Sequence, residues 1–432
     1  MVSKTGQKCQ INTVYTRYDV TQDGFHKMKI LQLSSHYNQG GAAKIVTYLH
    51  RQLMGDGLEM KTLYGRGKVQ NEQGVTGYGN SLSVLMDAFC SRVSGYSGCF
   101  SKGVTKRLLW EIERFGPDVV HLHALHGYHL NIPMLFAYLQ KQEIPWIWTF
   151  HDCYAFTGNC GYHFDCDKWK SGCGECPYVQ SYPKSLFWDR SREQWQQKKA
   201  LFTAEQRGVV VAPSRWLTGE AKQSFFGKYP CITIPNGIDT EHTFYPRDMA
   251  ETRRKLGFEP EEKIVLGIAA DYKDPRKGVK YILQAAKELG EDVKVILIGY
   301  HGELQSKNVI ALPVISDSSL LAEYYSIADV FVLPSLAENY ATTAVEALAC
   351  GTPVVGFDVG GIPEQLVEGM GIVVPTGDVQ AFTEAINAVL YGKAPLCTRA
   401  ERSERTKKRN SLQNMAAQYR RIYEDLVKES HL

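Results

Sequence analysis

The stretch Ser335-Leu336-Ala337-Glu338-Asn339-Tyr340-Ala341-Thr342-Thr343-Ala344-Val345-Glu346-Ala347-Leu348-Ala349-Cys350-Gly351-Thr352-Pro353 carries two carboxylates, Glu338 and Glu346, with seven residues between them. An apolar run, Asp329-Val330-Phe331-Val332-Leu333-Pro334, precedes it, and a second, Val354-Val355-Gly356-Phe357, follows. Short β-branched runs bounded by Pro and Gly read as buried strands, so the stretch is the loop and helix of a β-α-β unit, with Gly351 ending the helix. Glu338 then lies in the loop leaving the first strand, and Glu346 about two turns into the helix. The first turn of that helix presents backbone N–H groups without intrahelical acceptors, at the positive end of its dipole. Such an end binds phosphate. One acid on each side of it suits a diphosphate flanked by two hydroxyl-bearing groups. Without its flanks the pair has a plainer reading, as acids near a helix start that answer the dipole and face solvent.

The same rhythm runs outward in both directions. Residues 263–268 and 293–298 read as strands, with helices over 279–289 and 320–327. Towards the N-terminus, strands are expected at 28–33, 118–123, 146–150 and 209–214, with helices at 42–54 and 132–140, and residues 231–239 close the first half with turn chemistry. Apolar strands alternating with helices predict parallel sheets covered on both faces. A chain of 432 residues exceeds one typical core. Two doubly wound, Rossmann-like domains facing across a cleft follow: residues 28–235 and 236–410, with a linker near 235–246. The helix over 411–428 carries Leu412, Met415, Ala416, Tyr419, Ile422, Tyr423 and Leu426 on one stripe. Residues 1–27 read as a polar leader, either an extension or a start-site choice upstream of Met28. Ligands of such sheets bind beyond the carboxyl ends of the strands, which places the site in the cleft.

Composition is that of a soluble globular protein, 44% hydrophobic and 22% charged, and the net charge of +3 gives no nucleic-acid footprint. No apolar run is long enough to span a bilayer, and the N-terminus lacks the apolar core of a secretory signal. Eleven cysteines without such a signal predict a reducing, cytoplasmic setting, with thiols or metal ligands rather than disulfides. Five of them, with His163, fall in an insert over 153–176. Cys173-Gly174-Glu175-Cys176 has the spacing of a zinc half-site, which Cys160 and Cys166 would complete as a structural tetrahedron; packed reduced thiols are the alternative. Asp165-Cys166-Asp167 spells D-x-D but follows no apolar strand, so it is set aside as a metal site. The basic run Arg399, Arg402, Arg405, Lys407, Lys408 and Arg409 reads as a solvated face, or as a peripheral contact with anionic lipid on the inner face of a membrane.

The Glu338–Glu346 stretch, Gly40-Gly41 after the first strand, Lys277-Gly278, His151 at a strand end and Pro235-Asn236-Gly237-Ile238-Asp239 together resemble the retaining glycosyltransferases of family 4, which have the GT-B fold. The resemblance runs from about residue 28 to the end. It implies a nucleotide-diphosphate sugar as donor and a hydroxyl of a glycan or lipid-linked acceptor. It further implies retention by a front-side path, with no cofactor or metal needed for catalysis. Glu338 would hold the sugar and Glu346 the ribose. The N–H groups of Asn339, Tyr340, Ala341, Thr342 and Thr343 would hold the diphosphate with Lys277, faced by Gly40 and Gly41. His151 would touch the sugar from the opposite domain, the 125–128 loop would face the acceptor, and the last helix would cross back onto the first domain. The family's usual second cation, five positions before Lys277, is Tyr272 here. Either Arg276 or Lys273 supplies the second cation, or none does; Arg276 is the expected one. Readings that share the fold are a nucleotide-sugar epimerase and a phosphorylase; a non-catalytic nucleotide-sugar binder stands outside catalysis.

Overall fold

The structure, a computed structural model, describes residues 27–69, 71–268, 271–304 and 306–428. The first 26 residues of the expected leader lie outside them. One sheet has seven parallel strands: β1 (Lys29–Ser34), β2 (Glu59–Tyr64), β3 (Val75–Gly77), β4 (Val119–Leu122), β5 (Trp146–Thr149), β6 (Gly208–Ala212) and β7 (Cys231–Thr233), in the order β3-β2-β1-β4-β5-β6-β7. The second has six: β8 (Lys263–Ile268), β9 (Val293–Ile298), β10 (Val309–Leu312), β11 (Val330–Leu333), β12 (Val354–Phe357) and β13 (Gly371–Val374), in the order β10-β9-β8-β11-β12-β13. β4, β5, β6, β11 and β12 are buried at every residue, as helices on both faces of a parallel sheet require.

Each sheet winds outward both ways from one point, between β1 and β4 and between β8 and β11. Where the winding reverses, the loops leaving adjacent strands diverge and open a crevice. The loops carrying Gly40, Lys277 and Glu338 all leave these reversal strands.

The helix Leu412–Lys428 follows the second domain but belongs to the core of the first. Its Met415, Tyr419, Tyr423 and Leu426 are buried in one cluster with Ile30, Ile45, Val119 and Ile147. The Tyr423 hydroxyl meets His121 Nδ1 at 2.7 Å, and the Tyr419 hydroxyl meets Thr149 Oγ1 at 2.8 Å. His121 is thereby a packing residue. The two chain crossings run side by side: Ile238 bridges Ser411, and Asn410 Nδ2 donates to the Asn236 carbonyl at 2.8 Å.

Two expectations change. The helix of the quoted stretch is Thr342–Ala349, because Ala341 stays extended (φ −70°, ψ 111°), so Glu346 stands little more than one turn in. The basic run is helical (Arg399–Asn410) and is not simply a solvated face. Arg399 donates to the carbonyls of Ser326, Ala328 and Cys350, Arg402 is 2% exposed and donates to Gly351 and Cys397, and Arg409 donates to Glu364. These guanidinium groups satisfy carbonyls left open at chain turns and helix ends.

Candidate active site

Ala341 stands at the N-cap of the Thr342–Ala349 helix, so no side chain caps it. Alanine is among the poorest N-caps. The backbone N–H groups of Thr342, Thr343 and Ala344 consequently have no acceptor among the described residues. Two of the five expected amides are already partnered: Asn339 N donates to Glu338 Oε1 at 3.2 Å and Ala341 N to Gln365 Oε1 at 3.1 Å. Tyr340 is buried, and its hydroxyl accepts from Asn410 Nδ2 at 2.9 Å. The open anion-binding capacity is thus concentrated at Thr342–Ala344. Across from it, a Cβ on Gly41 would lie 3.8 Å from Thr342 Oγ1. Gly40, at φ +86°, makes the left-handed turn into the Gly41–Gly55 helix.

Lys277 ends a short 3-10 turn, Pro275–Lys277, whose first amide is capped by Asp274. Gly278 follows at φ +67°, and a Cβ there would overlap the Pro334 carbonyl. Only glycine lets this turn press against the loop leaving β11. Lys277 Nζ therefore reaches Glu338 Oε2 at 2.8 Å, in a partly open pair. Arg276 Nη1 is farther, 3.8 Å from Glu338 Oε2. Its guanidinium is engaged by the Ala337 carbonyl and Asp274, each at 3.0 Å, and lies 4.4 Å from the Tyr162 ring. Arg276 holds the loop, whereas Lys277 is the cation that faces outward. Lys273 lies over the Tyr272 ring, which packs on Tyr300. Glu346 is buried and accepts from the Tyr325 hydroxyl at 2.9 Å. Burial pushes its carboxyl upward, opposed by Lys44 on the facing helix of the first domain.

His151 leaves β5. Burial pushes its imidazole down to about 4, so it is neutral at physiological pH. Its Nε2 lies 3.1 Å from His123 Nδ1, and His123 Nε2 lies 3.1 Å from Gln32 Oε1. Asn339 joins the domains: its Nδ2 donates to the His151 carbonyl at 3.2 Å and its Oδ1 accepts from Ser214 Oγ at 2.6 Å.

Residues 39–242 match the model of Glycosyltransferase Family 4, and residues 248–409 match that of the Glycosyl transferases group 1. The chain belongs to this glycosyltransferase family. A relative from Escherichia coli (strain K12), WcaC, named for a glycosyl transferase of colanic acid biosynthesis, is 27% identical over 92% of this chain and 100% of its own. The N-acetyl-alpha-D-glucosaminyl L-malate synthase of Bacillus anthracis is 29% identical over 53% of this chain and 62% of its own. Sucrose-phosphate synthase from Thermosynechococcus elongatus shares the fold at a TM-score of 0.68, with 20% identity over 93% of this chain and 100% of that one. Anabaena HepE in complex with UDP-glucose shares it at 0.63, with 17% identity over 92% and 100%. The architecture is GT-B.

Further residues beside this candidate site come from positions that carried no expectation. Gly360 and Gly361 leave β12, and a Cβ on either would overlap the carbonyl of Glu338 or Asn339. Glu364 accepts from the amides of Arg215 and Trp216 at 2.8 and 3.0 Å, capping a helix of the opposite domain. A Gly-Gly pair directly after an apolar strand was the available signal. An open cleft of about 420 Å³ runs between the domains, lined by Tyr162, His163, Trp216, Glu338 and Gly360. In the first domain, Asp152 Oδ2 meets His126 Nε2 at 2.6 Å. Burial alone would raise the Asp152 carboxyl, but His126 holds it below its usual range.

Cys160 and Cys176 line one small cavity, and Cys173 Sγ accepts from Gly158 N at 3.1 Å. Burial pushes the Cys160 thiol up to about 12 and that of Cys173 to about 11, and it raises Cys176 as well. Cys166 is half-buried in the same insert. Among the described residues no three His, Cys, Asp or Glu side chains stand arranged to share a metal ion. Asp165 and Asp167 point to Tyr178 and Lys170.

Proposed function

We propose that this glycosyltransferase moves a glycosyl group from a nucleoside-diphosphate sugar to a hydroxyl of a glycan acceptor, with retention at the anomeric carbon, in the assembly of a polysaccharide or lipid-linked glycan. The observation that carries this reading is the uncapped start of the Thr342–Ala349 helix with Lys277 and Glu338 beside it. HepE, of the same fold, holds UDP-glucose, and WcaC is named for colanic acid assembly, which supports the donor class and the setting.

The diphosphate sits on the N–H groups of Thr342, Thr343 and Ala344, with the ribose hydroxyls on Glu346 and the sugar hydroxyls on Glu338. As the anomeric C–O bond breaks, its electron pair passes to the β-phosphate oxygen. Lys277 and the helix start stabilise the charge that gathers there. The acceptor oxygen bonds to the anomeric carbon on the face the phosphate leaves, and its proton passes to the departing phosphate. Neutral His151 hydrogen-bonds the sugar from the other domain. Because fixed cationic groups answer the diphosphate, turnover is expected to persist in EDTA.

A thermal-shift panel of UDP-, GDP- and ADP-sugars tests the donor class, since a bound ligand raises the melting point by mass action. At least one nucleotide-sugar should raise it, and the product formed from that donor should keep its anomeric configuration. Absence of any shift across the panel, or conversion of the donor to its epimer without an acceptor, would overturn the reading.

A further inference from the structure

The helix Ser81–Ser94 is turned inside out. Its buried residues are Asp87, Ala88 and Ser91, while Leu82, Leu85, Met86 and Phe89 form an i, i+3, i+4, i+7 stripe that faces solvent. Leu85 is 66% exposed and Phe89 62%. The stripe does not end with the helix. Leu186 N donates to the Arg92 carbonyl at 2.8 Å, which docks the next loop on the last turn of the helix. That loop exposes Phe187 at 70% and Trp188 at 57%. Contiguous exposed apolar surface of this kind marks an interaction site.

The charge along the helix side of this surface is cationic, while on the loop side the Asp189 carboxylate accepts from the amides of Cys176 and Ser191 and Glu193 pairs with Arg190. Residues 81–110 contain Arg92, Lys102, Lys106 and Arg107, all exposed, against Asp87 alone. Asp87 is buried, accepting from Ser91 Oγ and Ser101 N. An apolar stripe with an aromatic edge and a cationic flank matches the interface of an anionic bilayer: acyl chains take the side chains, and headgroups take the cations. A second copy of the chain would set the same cations against each other.

The surface also leads to the cleft. The Arg92 guanidinium lies over the Tyr128 ring, Tyr128 packs edge-on against Tyr182, and Tyr182 packs on His126, the partner of Asp152. We propose that the Ser81–Ser94 helix and the 186–188 loop dock this protein on an anionic lipid surface. On the functional reading above, the acceptor-side mouth of the cleft then lies beside the bilayer, where an acceptor carried on a lipid is presented.

Co-sedimentation of the full chain with phosphatidylcholine vesicles, with and without about one-third phosphatidylglycerol, tests the docking independently of turnover. Binding is expected only with phosphatidylglycerol, weakening as salt rises. It should fall at least about tenfold in L85S/F89S, in F187S/W188S and in K106E/R107E. Melting temperature and turnover on a water-soluble acceptor should stay unchanged, since these side chains are exposed. No binding to the anionic vesicles, undiminished binding in the two serine variants, or a dimer in light scattering that those variants dissolve would each overturn the proposal. An inactive enzyme that still binds vesicles would instead count against the functional reading alone.

Discussion

Lys277 and Glu338 form a pair 2.8 Å apart. The diphosphate of a donor brings Lys277 a second anion, and the charge on that anion grows as the glycosidic bond breaks. Lys277→Ala should therefore lower kcat by about a hundredfold or more, with a smaller change in KM for the donor. Steady-state kinetics on a variant with unaltered melting would show it; a change confined to KM would reassign Lys277 to ground-state binding. Glu346 acts differently. It is buried, with one oxygen on Tyr325, and the ribose it is proposed to hold is present before and after transfer. Glu346→Ala should weaken donor and free nucleotide alike, by about tenfold or more for a lost charged hydrogen bond. Titration with free nucleotide reads this, and unchanged affinity would remove Glu346 from the site. The nearness of Lys277 and Glu338 was legible in the sequence, because each was expected in a loop leaving a strand towards one cleft. Asn339 was misread there: it was expected to contribute an amide, but its amide is occupied by Glu338 and its side chain joins His151 to Ser214. Such contacts link positions far apart in the chain, and local pattern carries no record of them.

At the scale of elements, strands and helices followed from periodicity because each β-α unit hides one apolar run beneath one amphipathic helix. The helix bearing Glu346 was placed almost a turn early because nothing in Asn339-Tyr340-Ala341 forbids a helix; Gln365, which holds both the N–H and the carbonyl of Ala341, fixes the start from the short helix Ile362–Gln365. The basic run was misread for a similar reason, since its acceptors are carbonyls on other elements. The uncapped helix start makes a direct prediction. Ala341→Ser offers an oxygen to the amides at Thr343 and Ala344, which should stabilise the helix by about 0.5–1 kcal/mol and compete with phosphate for the same donors. Chemical denaturation should show the gain while titration shows weaker nucleotide binding. Stronger nucleotide binding would place the phosphate elsewhere. The Gly360-Gly361 turn predicts the opposite balance. At φ +53°, with the Glu338 carbonyl where a Cβ would stand, Gly360→Ala must displace the loop that carries Glu338. Activity should fall at least about tenfold while the far-ultraviolet circular dichroism is unchanged; full activity would show that the Glu338 carbonyl does not need its present position.

The whole molecule is two sheets whose reversal points face each other, tied by paired crossings and by a last helix returned to the first core. That core carries imidazoles that its packing keeps neutral. Burial pushes His121 and His129 down to about 3 and His151 to about 4, from an ordinary value of 6.5. The sign follows from proton binding. Below pH 6.5 the unfolded chain takes up these protons, while the folded chain refuses them until about pH 4 and below, so the unfolded state binds more protons and is favoured. Stability is complete above pH 6.5 and is lost as pH falls towards 4, by up to about 1.4 kcal/mol per pH unit for each imidazole held neutral. His121 lies between Tyr423 of the last helix and Thr149 of β5, so its protonation loosens the contact that closes the chain onto the first domain. Denaturant midpoints measured between pH 7.5 and 5 should fall with acid, and the slope should be shallower in His129→Leu, which removes one such group. A midpoint independent of pH over that range would mean that the imidazoles are protonated in the folded protein and that the core is open to water where it packs on the last helix.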